Sequence, residues 1–228
     1  MKTRLVLFDI DGTLLVSGGA GEKALRLALK DRFGCDDDLA AVEIAGRTDS
    51  GIAREIFQRH GIEPLAENLG AFFDSYIGHL SRELPGHRGW LLPGIVALLE
   101  NLKARDDVAL GLLTGNLSRG AEIKLKHYGV WDFFEFGAYA DDHHDRNELG
   151  RFARERAKEK HGVEFAPEKI FVLGDTPHDI QCGRVLGAKT IAIATGGCSR
   201  GQLAAHQPDF LFDDLSDVKA VVAAICGP

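Results

Sequence analysis

A chain of 228 residues, 45% hydrophobic and 27% charged, is long enough to bury a real core, as one large domain or as a domain with a smaller partner. Its net charge of −7 and the lack of a basic stripe argue against a nucleic-acid partner but leave small anionic substrates open. No run approaches the ~18 apolar residues of a membrane span, no leader is expected before the first strand, and four scattered cysteines (Cys35, Cys182, Cys198, Cys226) do not make a disulfide scaffold, so a reducing, cytoplasmic setting is expected.

The first element is an apolar run over residues 5–8, the pattern of a parallel strand buried on both faces. It stops at Asp9 and Asp11, and Gly12 breaks the pattern. Ligands in open α/β sheets bind beyond the carboxyl ends of strands, so these carboxylates fall where a site would form. A solvated Asp-Gly turn is the simpler alternative. Gly19-x-Gly21-x-x-Ala24 matches a dinucleotide fingerprint, but nine residues separate Asp9 from Gly19, and that fingerprint needs its first glycine directly after the strand. Gly18, Gly19 and Gly21 read better as a hinge leading into a helix.

Helical periodicity then covers residues 21–33, 50–60 and 65–83, punctuated by Gly34, Gly61 and Pro64, with no convincing strand among them. This block is an inserted domain or one very long crossover. Residues 84–94 return the chain, and a helix follows over 95–104. From residue 108 the pattern becomes strand–helix alternation. Strands are expected at 108–113, 133–138, 169–174, 188–194 and 210–212, with helices at 118–128, 147–160, 177–186 and 215–226. Repeated βα units predict an α/β fold with a doubly wound parallel sheet.

Three strands end in polar residues that would suit a single chemistry. The first ends in Asp9 and Asp11, the second in Thr114, and a later one in Asp175 with Asp179 nearby. Carboxylates brought together this way require a cation. Hard oxygen ligands favour Mg²⁺ over zinc. A cation beside a carboxylate nucleophile and a hydroxyl suggests phosphoryl transfer, with one acid attacking phosphorus and the other moving protons. Each piece also has a capping explanation. Thr176, Pro177 and Asp179 form a good helix start, and residues 114–118 can be loop and cap chemistry.

Asp9-Ile-Asp11-Gly12-Thr13, Leu112-Leu113-Thr114-Gly115-Asn116 and Gly174-Asp175-Thr176-Pro177-His178-Asp179 resemble, in order, the first, second and fourth motifs of the haloacid dehalogenase superfamily. The pattern is most similar to its phosphoglycolate-phosphatase-like branch. The resemblance covers essentially the whole chain. It implies a Rossmann-like catalytic core over residues 1–16 and 90–228, with an inserted all-α cap over 17–89. It implies an Mg²⁺-dependent phosphatase acting on a small phosphorylated metabolite through an aspartyl-phosphate, with a phosphomutase on the same core as the alternative. A dehalogenase would need no acid at Asp11, and a non-catalytic binding protein would not need the carboxylate set.

The roles it implies are Asp9 as nucleophile, Asp11 as acid and base, and Thr114 with Gly115 and Asn116 on the phosphoryl oxygens. Asp9, Asp11 (through its backbone carbonyl), Asp175 and Asp179 would hold the metal. The family's third-motif lysine is missing. Arg146 is the candidate replacement, with Lys158 and Lys160 as alternatives, although a planar guanidinium is not equivalent to an ammonium. In the insert, Arg47 either grips an acidic part of the substrate or belongs to a stretch (Gly46 to Ser50) that merely caps a helix. His143 and His144 read as solvated loop residues, and Phe72, Phe73 and Tyr76 as packing.

Overall fold

The central strand β1 (Arg4–Phe8) is buried at every position from Leu5 onward, and its alternating side chains feed two separate cores. Val6 and Phe8 point to one face and Leu5 and Leu7 to the other, as the two-residue period of a strand dictates. The computed structural model describes residues 1–227. After β1 come β2 (Leu15–Val16), α1 (Ala20–Phe33), α2 (Asp49–His60), α3 (Ala66–Glu83), β3 (Trp90–Leu91) and α4 (Ile95–Lys103). The remainder alternates: β4 (Val108–Leu113), α5 (Ser118–His127), β5 (Gly137–Ala138), α6 (Arg146–His161), β6 (Ile170–Gly174), α7 (Pro177–Leu186), β7 (Lys189–Ile193), α8 (Arg200–Ala205), β8 (Phe210–Phe212) and α9 (Val218–Cys226).

Six strands form one parallel sheet in the order β5-β4-β1-β6-β7-β8. Residues of α4, α5 and α9 cover one face, and residues of α6 and α7 cover the other, so the sheet is doubly wound. Connections run outward from β1 in both directions, toward β4 and toward β6. That reversal opens a crevice at the carboxyl end of β1, where such sheets bind their ligands.

The three helices α1–α3 pack around a core of their own, centred on Leu25, Leu29, Ile56, Phe57, Phe72 and Leu80. The chain leaves the sheet layer through β2 and returns through β3, and these two short strands pair antiparallel (Leu15 with Leu91, Val16 with Trp90). Glycines with positive φ end α1 at Gly34 and α2 at Gly61, the left-handed closure that a Cβ disfavours.

Two expectations about elements need correction. The strand expected over residues 133–138 is reduced to Gly137–Ala138, with a single turn of 3₁₀ helix at Trp131–Phe133 before it. Its position at the sheet edge, paired only with β4, explains why so short a strand suffices. The last helix begins at Val218 rather than at 215, because Asp217 caps it by accepting from the Ala220 amide.

Candidate active site

Three acids gather at the carboxyl ends of β1 and β6. Asp9, Asp175 and Asp179 are all buried, and each offers a ligand oxygen within 4.8 Å of the others. Asp9 follows β1 directly, and its amide donates to the Leu173 carbonyl of the neighbouring strand. Asp175 follows β6 and accepts a hydrogen bond from Thr13 Oγ1 at 3.0 Å. Asp179 stands in the first turn of α7. There it completes a capping box with Thr176, with Pro177 in the first turn, and its other oxygen accepts from Arg146 Nη2. The capping explanation and the cluster explanation of Asp179 are therefore both true of one side chain.

Arg146 opens α6 and is buried between the acids. Its Nη2 is 3.0 Å from Asp9 Oδ1 and also pairs with Asp179. Lys158 and Lys160 lie at the far end of the same helix and pair with Glu164 and Glu135. One guanidinium does not balance three buried carboxylates. Burial, with the charges of Asp179 and Asp9, raises Asp175 to about 8 against the opposing pull of Thr13 and Arg146. Burial, with Asp179 and Asp11, likewise raises Asp9 to about 6 in spite of Arg146. An oxygen-only donor set short of positive charge fits a hard divalent cation.

The walls of this cluster are made of glycine. A side chain at Gly12 or Gly196 would collide with the Asp175 carboxylate, and one at Gly174 with Asp179. Gly12 also sits at φ +82°, which an L side chain disfavours.

Asp11 is not part of the cluster. Its side chain turns away to meet Lys124, whose Nζ is 2.6 Å from Asp11 Oδ2 and 2.7 Å from Asn116 Oδ1. Asn116 Nδ2 donates to the same Asp11 oxygen and to Thr114 Oγ1, each at 2.9 Å. Burial favours the neutral form of Asp11, but the Lys124 charge and the hydrogen bonds from Lys124 and Asn116 outweigh it, and its pKa falls below the usual range. Thr114 is wholly buried behind Asn116, while Gly115 and Asn116 line the cavity.

Lys124 is the residue that sequence reasoning missed. A lysine in a helix ordinarily reads as solvated. Here it lies on the same face as Ala121 and Leu125, three before and one after it, and is buried with them. A charge inside a helix's apolar stripe was the available signal.

The helical layer closes over the site through the loop before α2. The Asp49 amide donates to Gly115 O at 2.7 Å, Asp49 Oδ2 accepts from the Leu117 amide at 2.8 Å, and Ser50 Oγ donates to Ala140 O at 2.9 Å. Thr48 caps α2 and also reaches the His144 carbonyl. The Arg47 guanidinium points to Glu43 and Glu55, at 3.5 and 3.4 Å. Its carbonyl presses against Gly115, where a Cβ would strike it. Asp49, which sequence reasoning considered only as a cap, is buried in the cavity wall. Burial raises it to about 6 against Lys124 and the Leu117 amide, and the Tyr76 hydroxyl faces it. The cavity between the layers has a volume of about 450 Å³.

Comparison with known proteins places this architecture. Residues 6–193 match the family model of haloacid dehalogenase-like hydrolases. A probable phosphatase, IndB, of Dickeya dadantii is 27% identical over 97% of this chain and 94% of its own. A phosphoglycolate phosphatase of Vibrio vulnificus is 26% identical over 97% of this chain and 96% of its own. A hydrolase structure from Pseudomonas syringae superposes with a TM-score of 0.74 at 21% identity, covering 98% of this chain and 99% of that one.

Proposed function

The chain belongs to the haloacid dehalogenase-like hydrolase family, and from that premise we propose that it is an Mg²⁺-dependent phosphatase acting on a small phosphorylated metabolite. The observation that carries this reading is the meeting of Asp9, Asp175 and Asp179 at the crevice where the sheet reverses direction, with Arg146 against Asp9 at 3.0 Å. A metal held by these three carboxylates would neutralise phosphoryl charge and keep Asp9 ionised.

Asp9 is the nucleophile. Its free oxygen attacks phosphorus, the bond from phosphorus to the leaving oxygen breaks, and an aspartyl-phosphate forms. Arg146 orients Asp9 and offsets charge on the transferred group. Gly115 and Asn116 line the phosphoryl end of the cavity, with Thr114 setting the Asn116 amide from behind. Asp11 supplies a proton to the leaving oxygen, then takes one from the water that attacks the acyl phosphate, which frees phosphate and returns Asp9. Lys124 biases Asp11 toward its ionised form, the form needed for the second half-reaction. Arg47 forms the cavity wall through its backbone against Gly115.

We assign residues 17–89 as a cap domain on two linkers. The paired β2 and β3 would guide its opening, and the closed arrangement would exclude water during transfer. Among the described residues no helix is long and apolar enough to cross a membrane. We place the enzyme in the cytoplasm on its four free cysteines, which suit a reducing compartment.

The test is a panel of phosphorylated metabolites and an aryl phosphate, assayed for phosphate release with and without Mg²⁺, using wild type and Asp9→Asn. Mg²⁺-stimulated release by wild type alone supports the reading. Turnover by Asp9→Asn removes the covalent mechanism, and product carrying the phosphoryl group on a different oxygen points to a mutase.

A further inference from the structure

Under the phosphatase reading the cavity has a phosphoryl end at Asp9 and a leaving-group end beyond it, and the charges lining the two differ. The phosphoryl end is built from the sheet layer: Asp9, Gly12, Gly115, Arg146 and Asp175. The opposite end is built mainly from the helices above: Glu22, Leu25, Asp49, Ile52 and Tyr76, with Val16 beside them.

Three basic side chains line the whole cavity, and each already has carboxylate partners. Arg146 lies between Asp9 and Asp179. Lys124, with its side chain only 4% exposed, is held by Asp11 at 2.6 Å and by Asn116. Arg47 is shared between Glu43 and Glu55. The leaving-group end, in contrast, carries two carboxylates, Asp49 and Glu22, that form no ion pair among the described residues; the Lys124 ammonium, held by Asp11, pulls on Asp49 only from beyond ion-pair distance. Asp49 accepts only neutral donors, the Leu117 amide and the facing Tyr76 hydroxyl. Glu22 stands exposed in the first turn of α1, at the rim.

We propose that this cavity selects phosphomonoesters whose alcohol portion carries hydrogen-bond donors and no second negative charge. The inference rests on the phosphatase reading above and narrows it. A second anion on the substrate would meet two unpaired carboxylates and no uncommitted cation, and burial of an unpaired charge is costly. A hydroxyl or ammonium donor would satisfy those same carboxylates, and Leu25, Ile52 and Val16 would cover the carbon skeleton. A volume of about 450 Å³ lies toward the lower part of the ~300–1,000 Å³ span of ligand sites, which suits a small alcohol.

The test compares three esters that share a two-carbon leaving group: ethanolamine phosphate, 2-hydroxyethyl phosphate and 2-phosphoglycolate. An aryl phosphate reports phosphatase chemistry itself. For wild type we expect kcat/KM for the hydroxyl and ammonium esters to exceed that for phosphoglycolate by at least ~10-fold, a difference of one charge contact. Glu22→Gln should narrow that ratio and Glu22→Lys should narrow it further or invert it. Because Glu22 is exposed, neither variant threatens the core. Turnover of the aryl ester with phosphoglycolate equal to or better than the other two overturns this inference and leaves the phosphatase reading standing. A ratio unmoved by Glu22→Lys also overturns it. Failure to turn over all four esters overturns the phosphatase reading, and this inference with it.

Discussion

Asp9 and Asp11 are two residues apart and leave the same strand, yet they inhabit opposite electrostatic worlds. Asp9 is buried with two other acids and one shared guanidinium, and is pushed up to about 6. Asp11 faces the cavity, accepts from the Lys124 ammonium and the Asn116 amide, and is pushed down. The difference comes from the direction each side chain takes, one toward β6 and α7, the other toward α5. A pair of like groups becomes a division of labour when the fold supplies each with a different neighbour.

The sharpest way to break that division is to disarm one member. Asp9→Asn should reduce phosphate release by at least ~10³-fold, since the amide cannot form the acyl phosphate. The thermal midpoint should hold or rise, because a buried charge is removed. Calorimetry alongside the assay checks both.

Next comes the cation that serves the cluster. Arg146→Met should lower kcat/KM by about 10²-fold or more and destabilise the fold by about 3–5 kcal/mol, since it leaves Asp9 and Asp179 buried without a cation. Arg146→Lys should recover part of the stability, though an ammonium cannot reproduce the fork that reaches Asp9, Asp179 and the Gly46 and Leu113 carbonyls.

Lys124→Met tests the other half by giving Asp11 an environment closer to that of Asp9. We expect about a 10–100-fold loss in kcat and a pH–rate profile whose Asp11-dependent limb moves to higher pH, because the group that lowers the Asp11 pKa is gone. A profile that keeps its position while kcat falls would show that Lys124 only packs the helix.

The smallest effect is read in stability. Asp9 at about 6 and Asp175 at about 8 hold protons in the folded chain that the unfolded chain releases near pH 4. The metal-free protein therefore loses stability as pH rises from about 4 to about 8, and the loss levels off above that. In chelator, the thermal midpoint of wild type should fall between pH 5.5 and 8.5 by more than that of Asp175→Asn. Each kcal/mol relieved is worth about 2–4 °C in a chain of this size. Equal falls in the two proteins would remove Asp175 as the source.

Much of this was legible in the sequence because the physics there is local. A strand buried on both faces must be a continuous apolar run, so residues 5–8 announced themselves, and glycine ends helices where left-handed backbone is needed. Arg146 stood in the sequence only as a candidate beside Lys158 and Lys160, through the family resemblance, and the fold alone shows it reaching Asp9. What stayed hidden depends on distant partners. The two-residue strands β2 and β3 exist only because Leu15 meets Leu91. Lys124 stands out in its apolar stripe, but what it serves shows only when Asp11 is placed beside it. The helix α8 is a different kind of miss, since the capping box of Ser199 and Gln202 was written in the chain and went unread.

The glycines around the acid cluster carry a consequence for how this protein tolerates change. At Gly12, Gly174 and Gly196 the useful property is empty space, and a single methyl group would occupy the volume of a carboxylate. A saturation library scored for growth or catalysis should therefore show three columns as blank as those of the charged residues, though these positions donate no side-chain chemistry. Neutral drift is free to rewrite the solvent-facing sides of α1, α2 and α3, while at these three codons the smallest missense step would already be a lesion.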